Sequence, residues 1–318
     1  MIADGPIPLR VHDIESLSPS LKRFSLTALH GGELPTAAPG AHIMLTLRGP
    51  DRVMKNAYSL VSPAACRDRY QIIVRHVAQS RGGSAFLHQG IRPGDVIEAA
   101  PPVNLFPLSQ SARKHLLIGG GIGITPLLSY LPLLKARGAR FELHQISSAE
   151  DVGVFERLLA PFAPGQEIRI HGGGRGAFDL AGILSRQPLG THLYVCGPRP
   201  LMDAAASTAA ALGWPPGKVH KESFGEAAGG LPFKAILARR GIEIDVGETQ
   251  TLLEAIEATG IAAPCLCRGG ACGECRLPVI EGEVEHRDDF LSAEEKAAQS
   301  AVMTCVSRAR SARLVIDF

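Results

Sequence analysis

Four of the chain's seven cysteines fall within one short stretch, Pro264 to Arg276, which reads Pro-Cys-Leu-Cys-Arg-Gly-Gly-Ala-Cys-Gly-Glu-Cys-Arg. Cys267, Cys272 and Cys275 follow the spacing C-x4-C-x2-C, and Cys305 lies further on. Four thiolates so arranged are the ligand set of a plant-type [2Fe-2S] cluster. Gly269, Gly270, Ala271 and Gly273 let the loop between them curl and turn backbone N–H groups toward the sulfurs. Zinc sites favour paired C-x2-C units, and only one such unit is present. Disulfides are disfavoured by the crowding of the three cysteines and by the lack of a secretory pattern in residues 1–9. Cys265 reads as a packed, non-ligating cysteine; Cys66 and Cys196 stand alone. An iron–sulfur protein with free thiols belongs in a reducing compartment, so the expected location is cytoplasmic.

Two further stretches have the order of ligand-binding loops. Lys114-His-Leu-Leu-Ile-Gly-Gly-Gly-Ile-Gly-Ile-Thr-Pro-Leu-Leu-Ser reads as a buried strand, a glycine turn and a helix start, with Pro126 in the first helical turn. Cys196-Gly-Pro-Arg-Pro-Leu-Met ends one strand and opens a helix, again at the carboxyl edge where ligands bind. Ser80-Arg-Gly-Gly-Ser-Ala-Phe-Leu-His is a weaker signal: two glycines lead into a helix that Ser84 is expected to cap.

The elements that must carry these loops change character along the chain. The first hundred residues hold six short strands with turn punctuation, the pattern of a small antiparallel barrel. From Lys114 to Leu212 strands alternate with helices, which requires a parallel sheet. Gly225–Pro232 reads as a linker. Beyond it, a hairpin, a helix opened by the capping box Thr251/Glu254, the cysteine loop and returning strands suit a β-grasp arrangement. The expected division is 1–106, 107–225, a linker 226–232, and 233–318.

Composition sets limits. With 318 residues, 45% hydrophobic and 20% charged, the chain is an ordinary globular one with room for two or three domains. A net charge of +2 argues against a nucleic-acid footprint. Residues 233–318 carry ten Lys and Arg against fourteen Asp and Glu, a net −4, which could steer a basic partner. Leu116–Leu134 is uncharged over 19 residues, but its glycines and prolines fit the strand, loop and helix better than a membrane span.

Taken in order, the three signatures resemble the phthalate dioxygenase reductase family, reductase components of two-component oxygenases, over essentially the whole chain. The resemblance implies a flavin-binding barrel, a nucleotide-binding α/β domain and a plant-type ferredoxin domain. It implies FMN (FAD in related reductases), a [2Fe-2S] cluster and NADH as substrate. Tyr58-Ser59-Leu60 matches the flavin element Arg-x-Tyr-Ser, with Tyr58 toward ribityl and ring and Ser59 near N5. The family arginine is replaced by Asn56, which leaves Lys55, Arg75 or Arg81 for the FMN phosphate; Gly82, Gly83 and Ser84 match the phosphate turn. Gly119, Gly120, Gly121 and Gly123 with Thr125 match the nucleotide loop. Cys196, Gly197 and Pro198 match the second loop, with Cys196 beside the hydride path or, alternatively, a buried strand cysteine. Phe224 matches an aromatic that stacks on the flavin or, alternatively, is a core phenylalanine. Ser147–Asp151 offers hydroxyls and carboxylates where a 2′-phosphate would want arginine, which favours NADH.

The expected function follows from electron number. NADH surrenders two electrons together and an iron–sulfur cluster takes one; a flavin can do both. The expected route is NADH to FMN to [2Fe-2S] to a separate terminal oxygenase, a Rieske non-haem iron enzyme or demethylase, with a haem monooxygenase as the alternative acceptor. A flavin/iron–sulfur redox sensor is the reading from another class. A monomer suffices, since one chain holds every centre.

Overall fold

The structure is a computed structural model that describes residues 5–50, 52–77, 82–173, 178–224 and 229–318. Arg81 and residues 225–228 of the expected linker lie outside these. The chain divides into two units, Met1–Glu222 and Ser223–Phe318.

The first unit opens with strands β1 (Ile7–Ser18), β2 (Leu21–Ala28), β3 (Ala41–Arg48), β4 (Val53–Ser59) and β5 (Tyr70–Arg75). Helix α1 (Gly83–Gln89), strand β6 (Val96–Ala99) and a two-residue β7 (Val103–Asn104) follow. The antiparallel order is β4-β3-β6-β1-β2-β5, with β7 on β3. The chain just past β4 meets β5 through the Leu60–Ile72 bridge, with Val61 N–H donating to the Gln71 carbonyl at 2.8 Å, and so closes the barrel. Alternation explains the interior: Ile43, Leu45 and Leu47 of β3 point inward and are fully buried with Leu9, Val11, Phe24 and Leu26. Bulges between Val11 and Asp13 and between Ser16 and Ser18 bend the long β1. The sequence had no signal for β7, which is too short to show a period.

A parallel sheet occupies the rest of this unit. Its parts are β8 (Lys114–Gly120), α2 (Ile124–Ala136), β9 (Phe141–Ser147), α3 (Val152–Leu159), β10 (Glu167–Gly172), α4 (Leu180–Ser185), β11 (Thr191–Cys196), α5 (Arg199–Ala211) and β12 (Val219–Glu222). The order β10-β9-β8-β11-β12 reverses direction between β8 and β11, and ligands bind at such a switch. The uncharged stretch is β8, its loop and the buried α2; no described helix is long and apolar enough to cross a membrane. Barrel and sheet share one core: Leu21 and Ile73 pack with Leu117, Leu127 and Tyr194. Buried Ser129 Oγ accepts the Gly40 N–H at 2.7 Å, and Tyr194 Oη accepts that of Ser109 at 2.7 Å.

The second unit holds β13 (Phe233–Leu237), β14 (Ile242–Val246), α6 (Leu252–Ala258), β15 (Arg276–Glu281), β16 (Val284–Glu285), α7 (Ala293–Ala298), β17 (Ala301–Met303), β18 (Arg308–Ala309) and β19 (Arg313–Ile316). The sheet runs β14-β13-β19-β15-β17, with β13 parallel to β19, while β16 and β18 pair apart. Helix α6 carries its expected capping box, and its buried Leu252, Leu253, Ala255 and Ile256 face the unit's core.

Candidate functional site

The four expected cluster cysteines gather in two pairs. Cys275 and Cys305 sulfurs lie 3.1 Å apart in an apolar cluster with Leu253, Met303 and Val306. Cys267 pairs with Cys272, whose thiol donates to it. Gly269 N–H also points at the Cys267 sulfur, at 3.3 Å. The thiol of Cys272, then the N–H groups of Ala271, Gly269 and Cys272, outweigh burial and draw the Cys267 pKa down to about 5. The loop's curl has specific causes. Gly270 and Gly273 sit at φ 74° and 85°. A Cβ on Gly270 would lie 2.6 Å from Val306 Cγ2, and one on Gly273 only 2.4 Å from the Phe290 ring. Arg268 also adopts a positive φ, 52°, and its guanidinium is taken up by Glu257. Cys265 packs at the edge of the apolar cluster, 3.6 Å from Arg268 Nη2.

Among the described residues no three His, Cys, Asp or Glu side chains gather as one metal ion would need. Two pairs of sulfurs fit a group with two irons, each taking two thiolates. A zinc ion would draw four donors to one point.

In the first unit the nucleotide loop and the second loop are packed backbone to backbone. A Cβ on Gly123 would lie 2.3 Å from the Cys196 carbonyl oxygen, and one on Gly120 2.8 Å from Pro198 Cδ and 3.3 Å from Gly197 Cα. Gly121 adopts φ 56°. Thr125 is buried and donates to the Ile122 carbonyl at 3.0 Å. The Cys196 side chain is fully buried among Leu117, Ile124 and Tyr194, and burial pushes its thiol pKa well up. Its carbonyl oxygen faces Gly123 of the glycine loop, while its thiol lies in the core beneath that loop.

The flavin-matching residues lie on β4 and at the start of α1. Ser59 is buried, and Tyr58 is half-buried with its phenol pKa raised by burial. Asn56 reaches the glycine turn: a Cβ on Gly83 would lie 2.6 Å from Asn56 Oδ1. Ser84 does not cap α1. Gly82, at φ 95°, is the residue before the helix, and Ser84 Oγ instead accepts the Val77 N–H at 3.2 Å. The αL backbone needed there suits glycine, which displaces serine from the capping position. Lys55 points to the opposite side of β4 from Asn56 and Tyr58 by strand alternation. Phe224 is 45% exposed and so is not a core residue.

Three residues that meet the site loops had no motif to announce them. Gln145, fully buried, donates from Nε2 to the Gly121 carbonyl at 2.9 Å, and its Oε1 fills the space beside Gly119. Strand β9 reads Phe-Glu-Leu-His-Gln-Ile-Ser, and this mixed polarity hides the burial of its glutamine from sequence reasoning. Asp151 is buried and accepts from Arg75 Nη2 at 2.7 Å, Ser18 Oγ at 2.9 Å and Ser148 Oγ at 3.1 Å. It ties barrel to nucleotide domain, with Arg75 the nearest side chain to Gly121. These partners take up the Asp151 carboxylate, and of the Ser147–Asp151 segment Ser148, Ala149 and Glu150 remain exposed. Arg52 Nη2 would lie 3.2 Å from a Cβ on Gly82.

Comparison with known proteins agrees with this geometry. Residues 8–106 match the oxidoreductase FAD-binding domain and residues 236–310 the 2Fe-2S iron-sulfur cluster binding domain. The chain is 43% identical to the heme-dependent oxidative N-demethylase beta subunit of Ectopseudomonas mendocina (strain ymp), covering 98% of both. It is 40% identical to the carnitine monooxygenase reductase subunit of Escherichia coli (strain K12), covering 97% of both. The solved structure of phthalate dioxygenase reductase superposes with a TM-score of 0.86 at 34% identity, over 99% of this chain and 98% of that one. The chain belongs to the phthalate dioxygenase reductase family, oxidoreductases with flavin and [2Fe-2S] domains that form the reductase component of oxygenase systems.

Proposed function

We propose that this chain takes electrons from NADH, routes them through FMN and a [2Fe-2S] cluster, and hands them singly to a separate terminal oxygenase. The observation that carries the reading is the division of four thiols into two pairs, Cys267 with Cys272 and Cys275 with Cys305. When bound, the flavin accepts electrons in twos and releases them in ones, and the cluster carries them singly.

The chain's own residues bind, orient and insulate. Cys267, Cys272, Cys275 and Cys305 would hold the irons, and the N–H groups of Gly269 and Ala271 would stabilise charge on the sulfurs. Tyr58 and Ser59 would flank the flavin ring, with Ser59 donating near N5. Gly119–Gly123 and Gly197–Pro198 would cradle the nucleotide, because a side chain at Gly120 or Gly123 collides with the facing loop. Thr125 and Cys196 act from behind this surface, holding the loop's shape. Phe224 is assigned as the aromatic that would stack on the flavin. NADH is favoured because exposed Glu150 would repel a 2′-phosphate. We assign the domains to 1–106, 107–225 and 233–318, with 226–232 as linker, in a monomer working in a reducing cytoplasm.

We take a Rieske non-haem iron oxygenase or demethylase as the acceptor. A haem-dependent demethylase is the second reading, favoured by the 43% identity to the heme-dependent N-demethylase subunit. Both of the curated relatives described above belong to systems acting on nitrogen-bearing substrates by name, which points to an amine for the partner oxygenase. Anaerobic titration with NADH, with flavin and cluster bands followed together, tests the route. Both bands bleach if the reading is right; bleaching of flavin alone overturns it. Heat release and separation of the flavin distinguishes FMN from FAD.

A further inference from the structure

The flavin phosphate needs a cation, and the position that supplies one in the family holds neutral Asn56. The Asn56 side chain already fills the space beside Gly83, where a Cβ would come within 2.6 Å of its oxygen. Arg75 is committed to buried Asp151 at 2.7 Å and lies beside Gly121 of the nucleotide loop. By alternation Lys55 lies on the opposite face of β4 from Asn56, and the side chains that meet Gly82 and Gly83 are Arg52, Met54 and Asn56.

Two-residue alternation carries the face of Tyr58 and Asn56 back through Met54 to Arg52, at the turn where Arg52 carbonyl accepts the Gly49 N–H at 3.0 Å. The contacts bear this out. A Cβ on Gly82 would lie 3.2 Å from Arg52 Nη2 and 3.3 Å from Met54 Sδ. Arg52, Met54, Gly82, Ala85, Phe86 and Gln89 line an open cavity here. A guanidinium thus reaches the glycine turn from four residues before the position at which the family carries it.

We propose that Arg52 holds the flavin phosphate in this chain, replacing the arginine lost at Asn56. This rests on the flavin reading above and adds the residue that makes the site select a phosphorylated flavin. A phosphate monoester carries about −1.5 to −2 charge at neutral pH, and a guanidinium fork matches its oxygens better than an ammonium does. Asn56 contributes an amide donor and no charge.

The test compares FMN with riboflavin, which lacks the phosphate, on flavin-stripped full-length protein with its cluster intact, by fluorescence quenching. In R52Q, FMN affinity falls roughly ten- to hundredfold, the loss of a hydrogen-bonded charge, while riboflavin affinity stays at the wild-type value. R52K recovers part of the difference. K55Q and R81Q keep wild-type discrimination. If R52Q discriminates as the wild type does, or if R81Q or K55Q alone collapses discrimination, the assignment to Arg52 is overturned. If the unaltered protein binds neither flavin, it is the flavin reading that fails. The exposed Arg52 carries no core packing, and the cluster spectrum reports on folding of each variant.

Discussion

The cysteine loop draws three of its four sulfurs from nine consecutive residues, Cys267 to Cys275. The flavin turn draws on Met54 and Asn56 from one strand, on Arg52 just before it, and on Gly82 and Gly83 from a helix start well downstream. The difference is one of chemistry. Thiolate–iron bonds leave little latitude in sulfur position, so spacing is fixed and written locally. A phosphate accepts charge from several directions, so the cation can move along a strand and still reach it.

The harshest lesion on the ferredoxin side is Cys305→Ser. It breaks the Cys275–Cys305 pair and should abolish the cluster band, with iron and acid-labile sulfide lost together. Electron delivery to the oxygenase falls to background, while NADH still bleaches the flavin. The matching lesion at the flavin turn is rescued by excess FMN, since it changes only an affinity. Loss of flavin reduction in Cys305→Ser would erase the contrast between the two sites.

Acid separates the units next. Burial, and then repulsion from His192, His220 and Arg137, lower the pKa of His115 from 6.5 to about 4. Among the described residues its Nδ1 has no hydrogen-bond partner. The folded state therefore resists a proton that the unfolded chain accepts. The stability is complete above pH 6.5 and drains as pH falls toward 4, by on the order of 3 kcal/mol for this one group. His171, His192 and His220 are shifted the same way, also first by burial. Burial would raise Glu142, but hydrogen bonds from His144, Lys114 and Gln187 outweigh it and hold the pKa well below the usual carboxylate range, so its contribution drains below about pH 4.5. The second unit has one histidine, His286. Trp214, the chain's single tryptophan, packs in the first unit's core. Urea unfolding followed by its fluorescence should shift to lower urea between pH 6.5 and 4, and His115→Leu should flatten the shift. An unchanged midpoint across that range would contradict the burial argument.

Asp151→Asn comes third. Removing one member of a buried pair costs about 3–5 kcal/mol; Arg75 is 30% exposed, so about 2 kcal/mol is expected, read by the same fluorescence. Because Arg75 borders Gly121, flavin reduction by NADH should also slow, with flavin content and cluster spectrum unchanged. A stability loss with wild-type flavin reduction would make the pair a strut and nothing more.

These cases show what could be read from the chain and what could not. The barrel, the parallel sheet and the capping box of α6 all announced themselves through period or local chemistry, and so did the cysteine spacing. Asp151 did not, because its meaning comes from Ser18 and Arg75, far away in sequence and on another domain. Arg52 stayed silent for the opposite reason: it is near Asn56 in sequence, but only strand alternation and the position of Gly82 show that it faces the same way. Ser84 misled because a serine after glycines suits a cap, whereas the backbone there is left-handed and takes Gly82.

The smallest effect tests how closely local chemistry supports the cluster. Two capping boxes stand in the second unit, Thr251/Glu254 and Ser292/Glu295. Losing either side chain should cost about 1 kcal/mol of local helix stability. Their consequences differ. Helix α6 buries four side chains, and its Leu253 N–H donates to the Thr304 carbonyl at 2.9 Å, next to Cys305. Helix α7 buries none. Thr251→Ala should therefore speed loss of the cluster band under mild heating, while Ser292→Ala should fray an exposed helix and leave that rate alone. Equal rates in the two variants would mean that the segment bearing Cys305 is held by the core and owes nothing to the cap.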